Sequence, residues 1–562
     1  MCDIFNDFFI NVAKDIGKDS INIDDEEALE NHPSIRAIKE NIPINKPKFT
    51  FNPVNEKEVT NYLKQVGDKK ATGVDNLSVK ILKKIESVMV SPITHLINTM
   101  FIKCVFPHQL KLARVTPVHK KNDELTKSNF RPVSILTIIS KLFERAMSTQ
   151  LYDYFTDIFH SYLSAFRSGY SCQSTLIALT EEWKKTLDEN QYVGAILMDL
   201  SKAFDCLPHE LIIGKLKAYG IADNALQLLS SYLKDRKQCV QIGNDRSAFL
   251  DIIKGVPQGS ILGPLLFNIF INDIFYFITE SSLYNYADDN TLTFWHKSFD
   301  VMKNILETEG SQLVDWFQDN HMQANPDKFQ GLAIGKKTYD RKPVFDIKGI
   351  NIECTDDVKL LGVDIDYQLN FNTQITNICR KASRQINVLK RIGQHLPLAC
   401  RKLIYHSFIM SSFNFCPLVW HNCSKRNTNK LERLHYRALK FIYQDFSSSY
   451  DDLIERAGVS TLEMRRMRQL AIEVFKILAG DRPTYMSNLV IPKNSKYSCR
   501  YSNLLEVPSV QSEKHGKNSF RFKSVKIWNS LPEHIRASTK FSNFKHLLFK
   551  WNGAKCRCSA CK

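Results

Sequence analysis

Apolar and polar positions along the chain switch between a period near 3.6 and a period of two, and the switches mark out elements. Two helical stretches, 55–66 and 77–88, flank the loop GDKKATGVD, and Asp75 or Ser78 is placed to cap the second. From about residue 101 the pattern is denser. It reads as a helix to Phe106, a strand over KLARVTPVHKK, and RPVSI leading into a helix near 139–156. The run VGAILM (193–198) is apolar like a buried strand, stops at Asp199, and precedes a helical segment at 209–218. In LYNYADDNTLTF (283–294) the flanks alternate like strands and the middle reads as a turn. Residues 1–50, with the acidic stretch IDDEEALENHPS, are mixed and read as loosely structured. No internal repeat, low-complexity tract or long Gly/Ser linker breaks the pattern.

At 562 residues the chain exceeds what one core can serve, so two to four domains are expected. Its formal charge of +17 points to a polyanionic partner. The charge is unevenly placed. Residues 367–562 hold 34 Lys and Arg against 11 Asp and Glu, a balance of +23, while residues 1–366 hold 42 against 48, a balance of −6. A metal-dependent catalytic module beside a nucleic-acid grip has this form. The back half is rich in Leu, Ile, Phe and Trp, which favours a fold over a solvated tail. The start, MCDIFNDFFI, has acids where a secretory signal needs bases, and the 14 Cys are scattered. The most apolar run, 261–278, contains Asn268, Asn272 and Asp273, which argues against a membrane span. A reducing compartment, nucleus or cytoplasm, is therefore expected.

Three stretches carry candidate chemistry. Asp288 and Asp289 stand side by side in the hairpin, where turn geometry alone would accommodate them. Asp199 ends a buried strand, a costly place for an acid unless it is paired or binds a cation; capping the next helix is the alternative. GVPQGSILGPLLFNIFIND (255–273) is a Gly-Pro loop opening an apolar helix, which lets backbone approach a ligand but is also common in ordinary loops. In this order, the three can set two acidic strands side by side under a substrate loop. Carboxylates from two strands can then share a pair of Mg²⁺ ions, which activate an attacking oxygen and stabilise a leaving one in phosphoryl transfer.

At these residues the sequence resembles the reverse transcriptases of non-LTR (LINE-type) retrotransposons, in particular the jockey-like group. ARVTPVHKKND…SNFRPVSI (113–135), LSAFRSGYSCQSTL (163–176), MDLSKAFD (198–205), GVPQGSILGPLLF (255–267), YADD (286–289), NPDKF (325–329) and LLGVDID (360–366) resemble that family's blocks in order. KKATGVDNLS (69–78) and FKSVKIWNSLPEHIR (522–536) resemble its flanking segments. The resemblance implies an α+β right-hand polymerase: fingers, a palm with an antiparallel sheet, a helical thumb and a basic, mostly helical C-terminal extension. It implies an N-terminal extension over 1–100, fingers and palm over 101–366, thumb over 367–460 and a basic region over 461–562.

It also implies roles. Asp199, Asp288 and Asp289 are the catalytic, metal-binding acids. A primer 3′-hydroxyl attacks the α-phosphate of a dNTP between two Mg²⁺ ions held by Asp199 and Asp288, with Asp289 supporting and Mn²⁺ as the alternative ion. Phe204 matches the bulky residue that excludes a ribose 2′-hydroxyl, with helix packing as the alternative. Gln258 matches the loop residue beside the nucleotide, and Lys328 a lysine sometimes assigned proton donation to leaving pyrophosphate, with a plain surface Lys as the alternative. Arg131 matches a triphosphate contact, which its guanidinium fork suits; a plain surface Arg is the alternative. The partners implied are an RNA template, a DNA primer and dNTPs. Autonomous members carry an endonuclease upstream. Here IFNDFFINVAKDIG (4–17) resembles the segment just before the polymerase, and a truncated element lacking the nuclease is expected. The rivals are a group II intron reverse transcriptase–maturase, an RNA-dependent RNA polymerase, which Phe204 argues against, and a catalytically silent nucleic-acid-binding relic.

In the basic half, NKLERLHYRALKFI (429–442) sets Lys430, Arg433, Arg437 and Lys440 on one helical face, beside an apolar face of Leu431, Leu434, Ala438 and Phe441. One stripe can pack while the other meets phosphates, unless the charged face is only solvated. Arg465, Arg466 and Arg468 form a less ordered cluster. The ending CRCSACK offers Cys556, Cys558 and Cys561, but a closed zinc site wants four ligands, His546 is ten residues away, and no zinc is expected.

Overall fold

The computed structural model describes residues 1–12, 25–120, 123–335, 342–493 and 503–551. The terminal cysteines fall outside the described residues. Helices and sheets are mixed along the chain. The strands that matter here are β1 (Leu112–His119), β2 (Phe130–Ile135), β3 (Tyr192–Ser201), β4 (Arg236–Ile242), β5 (Asp245–Arg246), β6 (Leu250–Ile252), β7 (Ser282–Tyr286), β8 (Asp289–His296), β9 (Gln323–Ala324) and β10 (Gln330–Ile334). One sheet runs β2-β1-β4-β5, with β6 also on β4; its β1–β4 pair is parallel. The other runs β10-β3-β8-β7, all antiparallel, with β9 on the last residues of β3.

β3 is apolar throughout because it divides two cores. Ile196, Met198 and Leu200 face one core, which includes the helices Gly263–Ile271 and Phe299–Asp319. Val193, Ala195 and Leu197 face the other. A strand covered on both faces has no reason to alternate. The second core also takes in the helices Cys172–Asp188, Asn372–Ile392, Lys425–Tyr443, Leu462–Leu478 and Phe520–Ser530. The basic half of the chain thus shares a core with the back of β3.

The boundaries differ from the sequence reading in three places. The expected 77–88 helix is two, Val79–Lys84 and Glu86–Lys103, and the second ends at Lys103 because Cys104 turns left-handed, three residues before Pro107. Ser78 is the cap, its Oγ accepting from the Ile81 N–H at 3.3 Å. Nor are residues 1–50 loose where described. Cys2–Asn11 is a helix whose Cys2, Phe5 and Phe9 close a small core with Val115 and Val240. Its buried Asn6 donates to the Ala248 carbonyl at 2.9 Å and accepts from Gln238 at 3.1 Å. His32 caps the helix Pro33–Asn41 by accepting from the Ser34 N–H.

The polar residues of the 261–278 run are structural. Asn268 donates to the Ala165 carbonyl at 2.8 Å. Asp273 is fully buried, paired with Lys215 at 2.6 Å and accepting from Trp316 Nε1 at 2.8 Å. No helix among the described residues is long and apolar enough to cross a membrane.

Two carboxylates of the 172–188 helix fasten the C-terminal region. Buried Glu181 accepts from the backbone N–H groups of Phe520 (2.6 Å) and Arg521 (2.9 Å) at the start of the 520–530 helix. Asp188 accepts from Gln511 and Ser512 N–H and faces Arg521. Glu181→Ala would leave those N–H groups and the Lys184 ammonium buried without their acceptor. It should cost about 3–5 kcal/mol. The expected readout is a lower unfolding midpoint, with protease cleavage appearing first between residues 503 and 520. Unchanged cleavage and midpoint would mean that the C-terminal region is held by apolar packing alone.

Candidate active site

β3 and β8 are in antiparallel register with Asp199 directly opposite Asp289. β7 and β8 join through a tight turn, Tyr286 pairing with Asp289, so Ala287 and Asp288 form its tip. Ala287 sits at φ +57°, a left-handed conformation unfavourable for an L-residue with a Cβ. Two buried asparagines hold it there. Asn285 Nδ2 donates to the Ala287 carbonyl and to Asn290 Oδ1, both at 2.9 Å, and Asn290 Nδ2 donates to the Asp288 carbonyl at 3.3 Å. Sequence reading singled out the acids and passed over these asparagines, although they stand symmetrically about the Ala287–Asp288 turn.

The acids repel one another. Burial, then the charge of Asp199, raises the Asp288 carboxyl above its usual range. Burial, then Asp288 and Asp199, pushes Asp289 up to about 6. Lys328, on the turn after β9, brings its ammonium to 2.5 Å from Asp199 Oδ2, while the Asn325 N–H donates to the Asp199 carbonyl at 3.0 Å. Among the described residues, no three His, Cys, Asp or Glu close a metal site by themselves. The donor set still fits Mg²⁺, which favours hard carboxylate oxygens and fills its remaining positions with water and phosphate rather than an all-protein cage.

The loop beside the acids is clamped from several sides. Gly255 N–H donates to the Leu207 carbonyl and Val256 N–H to that of Phe204. Ser134 N–H, on β2, donates to the Gln258 carbonyl at 2.8 Å. A Cβ on Gly255 would come within 2.6 Å of the Asp205 carbonyl oxygen, and one on Gly259 would collide with that of Ser134. Buried Glu144, whose carboxyl is raised by burial, accepts from Ile261 N–H at 2.5 Å. The Gln258 amide donates to both oxygens of Asp205 at 2.8 Å. Burial pushes Asp205 up to about 6, with Gln258, Lys202 and Lys120 opposing. Phe204 is not on a helix. It follows β3, stacks on Phe267 at 4.4 Å, and meets the edge of half-exposed Phe166 at 5.9 Å. Arg131 is exposed on β2, and its charge acts on Asp288 together with that of Lys328. Lys120, at the end of β1, joins them. Burial, then Arg131 and Lys328, lowers its pKa. It lies in the HKK of β1, which was read only as strand.

A family model described as reverse transcriptase (RNA-dependent DNA polymerase) matches residues 118–365, a segment that contains the three acids, the loop, Arg131 and Lys328. Over residues 118–365 the chain is thus similar to the reverse transcriptase family. Among similar proteins, a probable RNA-directed DNA polymerase from transposon BS of Drosophila melanogaster is 27% identical over 70% of this chain and 45% of its own length. The one from the X-element of the same organism is 23% identical, and that of its mobile element jockey 24%, each over 70% of this chain and 44% of their own. The chain thus spans under half the length of these relatives. The resemblance to jockey-like elements is borne out.

Outside the segment that the family model matches, the basic stripe is where its spacing placed it. On the 425–443 helix, Leu431 and Ala438 are buried, Lys430, Arg433 and Arg437 exposed, and Lys440 half-buried, 4.3 Å over the Tyr436 ring. The structure adds a second row. The neighbouring 372–392 helix has no carboxylate and exposes Arg380, Arg384 and Arg391, with Asn387 between them accepting from Arg437 at 2.8 Å. Their spacing of 4 and 7 was legible in RKASRQINVLKR. The cluster at 465–468 is different. Arg466 is buried over Trp420, and Arg468 donates to the Trp551 carbonyl, so both serve packing.

The raised acids make a stability prediction. Asp289 in the folded protein ionises near 6 against an ordinary 3.8, so the folded state holds its proton longer. That contribution is complete below about pH 4 and is lost as pH rises through about 6. With a discount for partial exposure, Asp289→Asn should therefore be more stable than the wild type by about 1–2 kcal/mol near pH 7 without divalent ions, and equal to it near pH 4. Denaturant melts in chelator at both pH values check this; equal stability throughout would show that the acids are well solvated.

Proposed function

We propose that the chain is an RNA-directed DNA polymerase of a non-LTR retrotransposon, extending a primer 3′-hydroxyl with dNTPs on an RNA template. The observation that carries this reading is the register of Asp199 against Asp289 beneath the clamped Gln258 loop, inside the segment matched by the family. The antiparallel sheet β10-β3-β8-β7 serves as the palm, the β1–β4 sheet as the fingers, and the helices between 367 and 460 as the thumb. The relatives' names describe the same activity for those proteins.

Asp199 and Asp288, with Asp289 beside them, would hold the divalent ions, Mg²⁺ or Mn²⁺, which neutralise phosphate charge and lower the pKa of the attacking hydroxyl. The rest is done by side chains of the chain. Arg131 and Lys120 face the acids from the β1–β2 hairpin, where a triphosphate's charge needs a counterweight. Lys328 is an ammonium already at the acids and is suited to giving its proton to departing pyrophosphate. Phe204, fixed by Phe267, presents a rigid wall to the sugar. Gln258 is oriented by Asp205. The two basic rows grip template and primer through phosphates.

Asp199→Asn and Asp288→Asn should each reduce primer extension on an RNA template to background and leave template affinity nearly unchanged. They should also remove the rise in melting temperature that Mg²⁺ gives the wild type. Near-normal extension in both variants would overturn the assignment. Phe204→Ala should shift the ratio of ribonucleotide to deoxynucleotide incorporation upward by about ten- to a hundredfold, the range expected for one lost steric contact. An unaltered ratio would assign Phe204 to packing.

A further inference from the structure

Where the 372–392 and 425–443 helices begin, they enclose a cavity of about 580 Å³ with the segment around Lys514 and Asn518. Arg426, Lys430 and Lys514 line it, and no carboxylate does. Among the described residues, none of the three has an acidic partner, whereas adjacent Lys425 is paired with Glu463. The remaining wall is rich in amides. Asn427 and Asn372 are locked together at 2.8 Å, and the side-chain oxygen of Asn422 is buried without a donor. Uncompensated cations beside an unsatisfied amide describe a site built for an anion with hydrogen-bonding groups attached.

The cavity stands away from the catalytic acids. The Asn518 carbonyl lies 3.5 Å from the Lys184 ammonium, near the end of the 172–188 helix that leads into β3 at Tyr192. Asp199 is seven residues further along that strand, roughly 23 Å at the rise of a β-strand. None of the residues lining the cavity is one of the three acids or belongs to the Gln258 loop.

We infer that this cavity is a second nucleic-acid site, which takes one nucleotide of a single-stranded segment outside the catalytic cleft. Its phosphate meets Arg426 and Lys514, and its base edge meets the asparagines. The inference rests on the polymerase reading, which supplies the class of ligand. Cavity size admits a nucleotide. A half-open pocket whose hydrogen-bonding groups meet a base edge needs that edge unpaired, which a single strand offers and a duplex does not.

The test uses Arg426→Gln with Lys514→Gln in the full chain, which removes two charges and leaves the two basic rows and the acids intact. Fluorescence anisotropy over a salt series would follow a long unstructured RNA strand, the matching DNA strand, and a short RNA–DNA hybrid, recessed only by the template bases to be copied, that fills only the cleft. For the strands, the slope of log affinity against log salt should become shallower by about 1.4, two phosphate contacts at ~0.7 each. The hybrid's slope and its primer extension at saturating dNTP should be unchanged. Arg426→Lys with Lys514→Arg should restore the strand slope. An unchanged strand slope, or an equal loss on the hybrid, would overturn the site. A wild-type chain that shows the strand slope yet never extends a primer would overturn the polymerase reading and leave the site standing.

Discussion

The register of β3 against β8 is the constraint on which the rest depends, because it forces Asp199 and Asp289 face to face. Like charges directly opposite on a ladder are destabilising, and burial adds to the cost. The structure offsets this from both faces of β3. Apolar side chains alternate into two cores and fix the strand so that it cannot slip by one residue, which would turn both sets outward. At the strand's end, the Asn325 N–H and the Lys328 ammonium hold Asp199. Under the turn, Asn285 and Asn290 keep Ala287 in a conformation it would otherwise leave. Strain and repulsion gathered at one hairpin are what a site poised to receive cations would display.

The same strand end governs the substrate loop. Phe204, Asp205 and Leu207 all follow β3 within eight residues of Asp199, and all three touch the Gln258 loop, two through backbone carbonyls and one through its carboxylate. The loop is held on its other side by Ser134 of β2 and Glu144 of the next helix. Acids and loop therefore share one rigid frame. A shift of β3 would move both, and a substitution at Gly255 or Gly259 would reach the acids through the backbone at Asp205 or Ser134. The N-terminal helix extends this frame, since its Phe8 ring lies under the Lys202 ammonium at 4.6 Å, three residues from Asp199.

Much of this was legible because its signals are local. A buried strand interrupted by an acid, a Gly-Pro loop before an apolar helix, and a tandem acid between alternating flanks each occupy under twenty residues. The stripe on the 425–443 helix was legible for the same reason. The parts that were missed depend on distant partners. Asn6 finds Gln238 and Ala248, Glu181 finds Phe520, and no periodicity announces either pairing. The 2–11 helix buries Cys2, Phe5 and Phe9 against Val115 and Val240, partners far away in the sequence. Arg466 and Arg468 misled in the opposite direction. A run of arginines is usually solvated, but guanidinium groups also pack on aromatic rings, and Trp420 and Phe549 lie far from them in sequence.

The division of charge gains a physical meaning from the second core. The +23 of the back half is not carried on a detached arm, because the helices that bear it bury their other faces in one core that also takes in β3 and the 172–188 helix. Cations on a rigid face hold a fixed distance from the acids, so their field can draw a polyanion without neutralising the carboxylates. Glu181 and Asp188 make that separation possible. Both face the basic half, yet they are used up on backbone N–H groups at 511–521 and on Lys184 and Arg521. With these carboxylates committed internally and none on the 372–392 helix, the two rows of arginine and lysine are left facing outward with little acid to quench them. The front half arranges the converse, spending its cations near the acids on Asp199, Asp205 and Asp288. A chain with the same net charge but interspersed signs would bind polyanions more weakly and would bring phosphate up to its own carboxylates.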